Sequence, residues 1–136
     1  MPSLAGTAVL TVGLVSLAAL VLYGWVVSLV GRARGRFKIA APAMTGHPEF
    51  ERAVRVQGNT LEQIVPFLVA LWLAAAFSHA WIAAALGVLW LIGRVLYALG
   101  YIKDPSKREP GFVIGSIATV ALMVAALVGI VMRWTA

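Results

Sequence analysis

Arg55, Asn59 and Glu62 fall at i, i+4 and i+7 in the segment FERAVRVQGNTLEQIVPF, Phe50 to Phe67, and so share one helical face. The segment runs into an apolar stretch, where an ionisable group costs roughly 2.5–3.5 kcal/mol on insertion scales. A chain that keeps such a row uses it for a polar site. Arg94, Tyr97 and Tyr101, at i, i+3 and i+7, make a second polar face, and Arg108 follows seven residues later. If the two faces meet, they enclose several cations, one carboxylate, an amide and two phenols. That set suits a small zwitterion with more than one negative group. Arginine forks onto carboxylates, and Glu62 is placed to hold an ammonium.

A structural reading of the same residues stays open. Arg94 and Glu62 would pair across two helices, as intramembrane charges usually do. Arg32, Arg36 and Lys38 would act as topology signals, Glu51 and Arg52 as a solvated helix start, Tyr101 as an interfacial belt residue, and His79 as part of a turn. Arg55 and Glu62 lie about 10.5 Å apart along a helix, too far for an easy direct ion pair. These assignments together leave Arg55, Asn59 and Arg108 without a role.

The elements that must position these residues are membrane helices. The chain of 136 residues is 62% hydrophobic and only 12% charged, with too little polar surface for a soluble domain. Its length suits one all-α domain, residues 1–136, of four membrane helices over about 4–32, 48–77, 81–102 and 111–133. Leu4 to Gly31 is uncharged and long enough to cross. No Lys or Arg precedes it, unlike a typical secretory signal.

Gln63 to Gly93 is uncharged for 31 residues, too long for one crossing and too short for two. A turn at Ser78-His79-Ala80 resolves this. The second helix must then begin early enough to include Arg55, Asn59 and Glu62, and the third must continue through Arg94, Tyr97 and Tyr101. Both polar faces then lie at the same membrane level. Pro105 and Pro110 are expected to interrupt helix in the loop IKDPSKREP. Gly111 and Gly115 form a GxxxG pair that permits close helix packing.

The basic residues cluster in two loops: Arg32, Arg34, Arg36 and Lys38 with Arg52, then Lys103, Lys107 and Arg108. The positive-inside rule places both loops in the cytoplasm and both termini on the opposite side. This distribution argues against nucleic acid as the partner of the +6 net charge. The chain has no cysteine, so thiol chemistry requires a thiol brought by a ligand. His47 and His79 form no metal-ligand motif, and no metal is expected.

The motifs FERAVRVQGNTLEQIVPF and GRVLYALGYIKDPSKR, followed by GSIA, resemble the MAPEG superfamily, the membrane-associated proteins in eicosanoid and glutathione metabolism. The likeness runs from about Val26 to Met132 and is greatest to type-three microsomal glutathione transferase and leukotriene C4 synthase. It implies a four-helix bundle assembled as a homotrimer, with glutathione as co-substrate between subunits. The reaction implied is conjugation of a lipophilic electrophile, or reduction of a lipid hydroperoxide, in the bilayer. By the same resemblance Arg34, Arg55, Gln57, Asn59, Glu62, Arg94, Tyr97 and Tyr101 bind glutathione, and Arg108 stabilises its thiolate. Gln63 departs from the tyrosine that leukotriene C4 synthase has after its glutamate, which weakens any claim to that enzyme's substrate. Alanine-rich spans and short ends suggest a bacterial inner-membrane protein. A non-catalytic lipid-binding or scaffold protein of the same fold is the alternative. A small efflux subunit would need a carboxylate in its first helix, and Leu4 to Gly31 has none.

Overall fold

The computed structural model describes residues 3–136. Four α-helices follow in order: α1 Leu4–Arg36, α2 Pro48–Phe77, α3 Ala80–Lys103 and α4 Glu109–Trp134, with a 3-10 helix Pro105–Arg108 before α4. There is no strand among the described residues. All four helices are long and apolar enough to cross a membrane.

The ends follow local chemistry. His47 caps α2 by accepting from the Glu49 N–H, Pro48 occupies the first turn, and Glu49 and Glu51 face the positive end of the helix dipole. Between α2 and α3 the chain turns within Ser78 and His79, as the uncharged length required. α1 runs further than expected, to Arg36, because Arg34 and Arg36 suit a C-terminal last turn and are past the hydrocarbon. α4 begins at Glu109 rather than 111, so Pro110 lies inside it. Proline there loses no bond, since first-turn N–H groups have no intrahelical partner.

α2 and α3 pack on each other and on both remaining helices, which places α1 and α4 on opposite sides of the pair. α1 buries Ala8, Val12, Val15, Ala19, Leu22, Val26 and Val30, a stripe of one helical face, and leaves Leu10, Leu14, Leu17 and Leu20 exposed. Such exposed leucines suit lipid as their solvent. The core centres on Trp90 stacked on Phe67 at 3.9 Å, with Leu71, Leu122 and Val12 around them.

The α3–α4 crossing is set by glycine, but not by two equivalent glycines on α4. A Cβ on Gly111 would overlap the backbone of Tyr97 and the carbonyl of Gly93, while one on Gly93 would lie 2.7 Å from the Gly115 nitrogen. At Gly115 itself a Cβ would meet nothing nearer than 3.7 Å. Gly115 contributes an approachable backbone, and Gly93 and Gly111 contribute the missing side chains.

Candidate functional site

The second and third helices bring their polar faces together at one end of the bundle. The Asn59 side-chain N–H donates to the Tyr97 hydroxyl oxygen at 2.6 Å. Arg94, only 2% exposed, donates from Nη2 to Thr60 Oγ1 at 2.9 Å and lies over the Tyr97 ring at 4.0 Å. Thr60 in turn donates to the Val56 carbonyl at 2.7 Å. Arg94 therefore does not pair with Glu62. The sole ion pair among the described residues is Arg36–Glu49 at 3.3 Å. The structural reading of Arg94 and Glu62 as partners fails because Thr60 and Tyr97 hold the guanidinium first.

A cavity of about 370 Å³ opens beside this network, lined by Asn59, Glu62 and Gln63 of α2, Arg94 and Tyr97 of α3, and Arg108, Glu109 and Phe112. A second cavity of about 420 Å³ shares Asn59 and Glu62 and adds Glu51 and Arg55, with Met44 and Thr45 of the α1–α2 loop on its wall. Arg55 and Arg108 thus face the two lobes of one polar region, with Glu62 between them. Tyr101 is buried and lines neither cavity; its ring is 5.7 Å from that of Tyr97, and Arg108 lies over it at 5.7 Å. It packs inside the bundle with Val26, Val56, Tyr97 and Ala98 rather than facing lipid as a belt residue.

Gln57 and Arg34 also line neither cavity. Arg34 is held by its own loop: it donates to the carbonyls of Ile39 at 3.3 Å and Ala43 at 2.8 Å and stacks over Phe50 at 4.8 Å. Arg52 is not simply solvated, since it donates to the Ile102 and Lys103 carbonyls at 3.4 and 3.0 Å and closes the C-terminal end of α3. Gln63, Glu109 and Phe112 were not picked out as site residues from the sequence. For Gln63 the signal was available, because it lies one turn beyond Asn59 on the same face. Nothing local marks Phe112, whose place depends on where α4 crosses.

Arg108 is exposed and takes its position as the last residue of the short 3-10 helix. Asp104 caps that helix, accepting from the Ser106 N–H at 2.9 Å and the Ser106 hydroxyl at 2.8 Å. Gly100 has no side chain to obstruct the fold-back, since a Cβ there would lie 3.0 Å from the Lys107 carbonyl carbon. The Ser106 main-chain bond, then its hydroxyl, hold the Asp104 carboxyl below its ordinary value of 3.8. A carboxyl whose value is lower folded than unfolded stabilises the fold fully above 3.8 and loses that contribution as pH falls through its folded value. Thermal unfolding against pH should therefore show an acid-side loss that Asp104→Asn flattens, since the amide still caps but does not titrate. An unchanged profile in Asp104→Asn would remove Asp104 as its source.

Fold and site together define a four-helix membrane protein with a basic, amide- and phenol-lined cavity at one end of its bundle. The chain belongs to the MAPEG family, whose sequence profile matches residues 12–128. It is 47% identical over 124 residues to an uncharacterized protein of Synechocystis sp., covering 91% of this chain and 90% of that one. Microsomal glutathione S-transferase 2 of Mus musculus is 42% identical over 105 residues, 77% of this chain and 71% of the relative. Leukotriene C4 synthase of Bos taurus is 37% identical over 94 residues, 69% of this chain and 63% of its own length. The synthase likeness seen in the motifs recurs here, and the glutathione transferase beside it is of type two.

Proposed function

We propose that the protein is a glutathione-dependent membrane transferase or peroxidase that activates glutathione as a thiolate against lipophilic electrophiles or lipid hydroperoxides. The observation that carries this is the pair of adjoining cavities with Arg55 and Arg108 at opposite lobes and Glu62 shared between them. Glutathione has two carboxylates, one ammonium and a thiol, and its charges match that arrangement. The relatives named as a glutathione transferase and leukotriene C4 synthase support the same reading.

In this mechanism Glu62 takes the ammonium, Arg34 and Arg55 take the carboxylates, Arg108 faces the sulfur, and Arg94, Tyr97 and Tyr101 are the remaining glutathione residues of α3. Asn59, held by Tyr97, presents its carbonyl to a ligand N–H. Arg34 acts across the subunit border of a homotrimer, where the end of one α1 covers the next subunit's cavity, and Gln57 belongs with the glutathione residues of α2. Covering matters electrostatically. A guanidinium about 4 Å from the sulfur supplies about 1 kcal/mol in bulk water and about 4 kcal/mol at an effective dielectric of 20. Lowering a thiol from about 8.5 by two units takes about 2.7 kcal/mol, so exposed Arg108 suffices only once water is displaced. In this reading glutathione enters from the side of the basic loops, the cytoplasm by the positive-inside rule, and the electrophile arrives from the bilayer.

An ultraviolet difference titration of the detergent-solubilised protein with glutathione near neutral pH tests this. A thiolate band is expected. Glu62→Gln should weaken glutathione binding by about tenfold, the loss of one charge-assisted bond, while leaving the band at saturation. No band and no calorimetric binding would instead support a non-catalytic lipid-binding protein of the same fold.

A further inference from the structure

The geometry points to a binding site for the headgroup of an anionic phospholipid in a cleft at the C-terminal end of α1, separate from the glutathione cavities. The cleft is about 180 Å³. Its base is apolar, formed by Leu29 and Ala33 of α1, Ala53 of α2 and Ile102 of α3. Arg32 and Arg36 stand at its mouth with Glu49 opposite.

Arg32 is the first charge after the uncharged run from Leu4 to Gly31, so it sits where hydrocarbon gives way to headgroups. Below it the apolar base suits the glycerol and first methylenes of a lipid; above it the guanidiniums suit a phosphate. A topology signal alone would need positive charge but no cleft. Arg32 and Arg36 are i and i+4 and share a face, whereas Arg34 between them is turned to its own loop carbonyls. The site is therefore independent of the face that carries Arg34.

Arg32 is oriented by donating to the Ser28 hydroxyl at 3.3 Å and is otherwise free of protein partners among the described residues. Arg36 lies over the Phe37 ring at 5.0 Å and pairs with Glu49 at 3.3 Å, the two side chains being 71% and 50% exposed. An ion pair so exposed is weak, and a phosphate can compete with Glu49 for Arg36. Arg52 is tied to the α3 carboxyl end behind the cleft and keeps Ile102 in place.

The test is thermal unfolding of the detergent-solubilised full chain titrated with dioctanoyl phosphatidylglycerol, dioctanoyl phosphatidylcholine or inorganic phosphate. Phosphatidylglycerol should raise Tm in a saturable way, and the other two should not. Arg32→Gln should weaken the apparent affinity about fivefold. Glu49→Gln should strengthen it, by releasing Arg36. Lys107→Gln, the same change of charge on the other basic loop, should leave it unaltered. Arg36→Gln serves as the second probe of the mouth if Arg32→Gln does not fold. Equal shifts with phosphatidylcholine, or a shift with phosphate alone, overturn recognition of an anionic lipid. Equal weakening in Lys107→Gln reduces the effect to net charge and overturns the cleft.

Discussion

Arg108→Leu should abolish the glutathione thiolate band and lower turnover by about 10²–10³-fold, the usual consequence of removing one group aimed at developing negative charge. The Arg108 side chain makes no hydrogen bond or ion pair among the described residues, so its loss should leave folding and glutathione binding nearly intact. Leucine leaves an apolar side chain beside Tyr101 and removes the charge together with the guanidinium's donors. In the wild type the thiolate should persist below the pH at which free glutathione loses it. Arg108→Lys should recover part of the band but less of the rate, because an ammonium lacks the planar fork and the stacking surface that lies 5.7 Å from Tyr101. Stopped-flow absorbance and steady-state turnover on the same preparations separate the two effects. Full turnover in Arg108→Leu would end the role assigned to this residue.

Gly111→Leu should prevent stable folding, whereas Gly115→Ala should be close to silent. A Cβ at position 111 would lie 2.6 Å from the Tyr97 Cα and closer still to its nitrogen, and backbone cannot step aside as a side chain can. Helices α3 and α4 would have to separate. Overpacking usually costs about 1–3 kcal/mol and more where the obstruction is main chain, against a total stability of about 5–15 kcal/mol. The same separation would pull Tyr97 and Arg94 from Arg108. At Gly115 the nearest atoms to a new Cβ, Arg94 Cδ and Trp90 Cδ1, are 3.7 and 3.8 Å away, an ordinary contact. Alanine there also removes the backbone entropy cost of glycine in a helix, worth up to about 1 kcal/mol. Thermal unfolding in detergent compares the two variants. Similar losses at both positions would mean that the GxxxG pair acts as a symmetric unit and that the asymmetric crossing is wrong.

The turn between α2 and α3 was legible because hydrocarbon thickness sets helix length. Thirty-one uncharged residues had to fold at their polar middle, and Ser78 and His79 were that middle. The same arithmetic put Asn59 and Tyr97 at one membrane level, where they are joined by a hydrogen bond. The fate of each charge was not legible in this way. Pairing in sequence space offered Glu62 to Arg94, but a buried guanidinium takes whatever acceptor the helix crossing supplies, here the hydroxyl of Thr60. Thr60 carries no signal of that role, since a threonine inside an apolar helix commonly bonds its own turn, as this one also does to Val56.

By itself the sequence determined that four helices are long and apolar enough to cross a membrane, where two of them turn, and that two polar rows share one end. Those results depend on hydropathy, length and a 3.6-residue period, which are properties of each segment alone. Only the tertiary structure decided that Gln63, Glu109 and Phe112 complete the cavity and that Gly93 opposes Gly111. It likewise turned Arg34 into its loop while Arg32 and Arg36 flank a cleft. Such outcomes depend on how far apart two helices lie and how each is rotated, and those quantities are fixed jointly by the side chains of both.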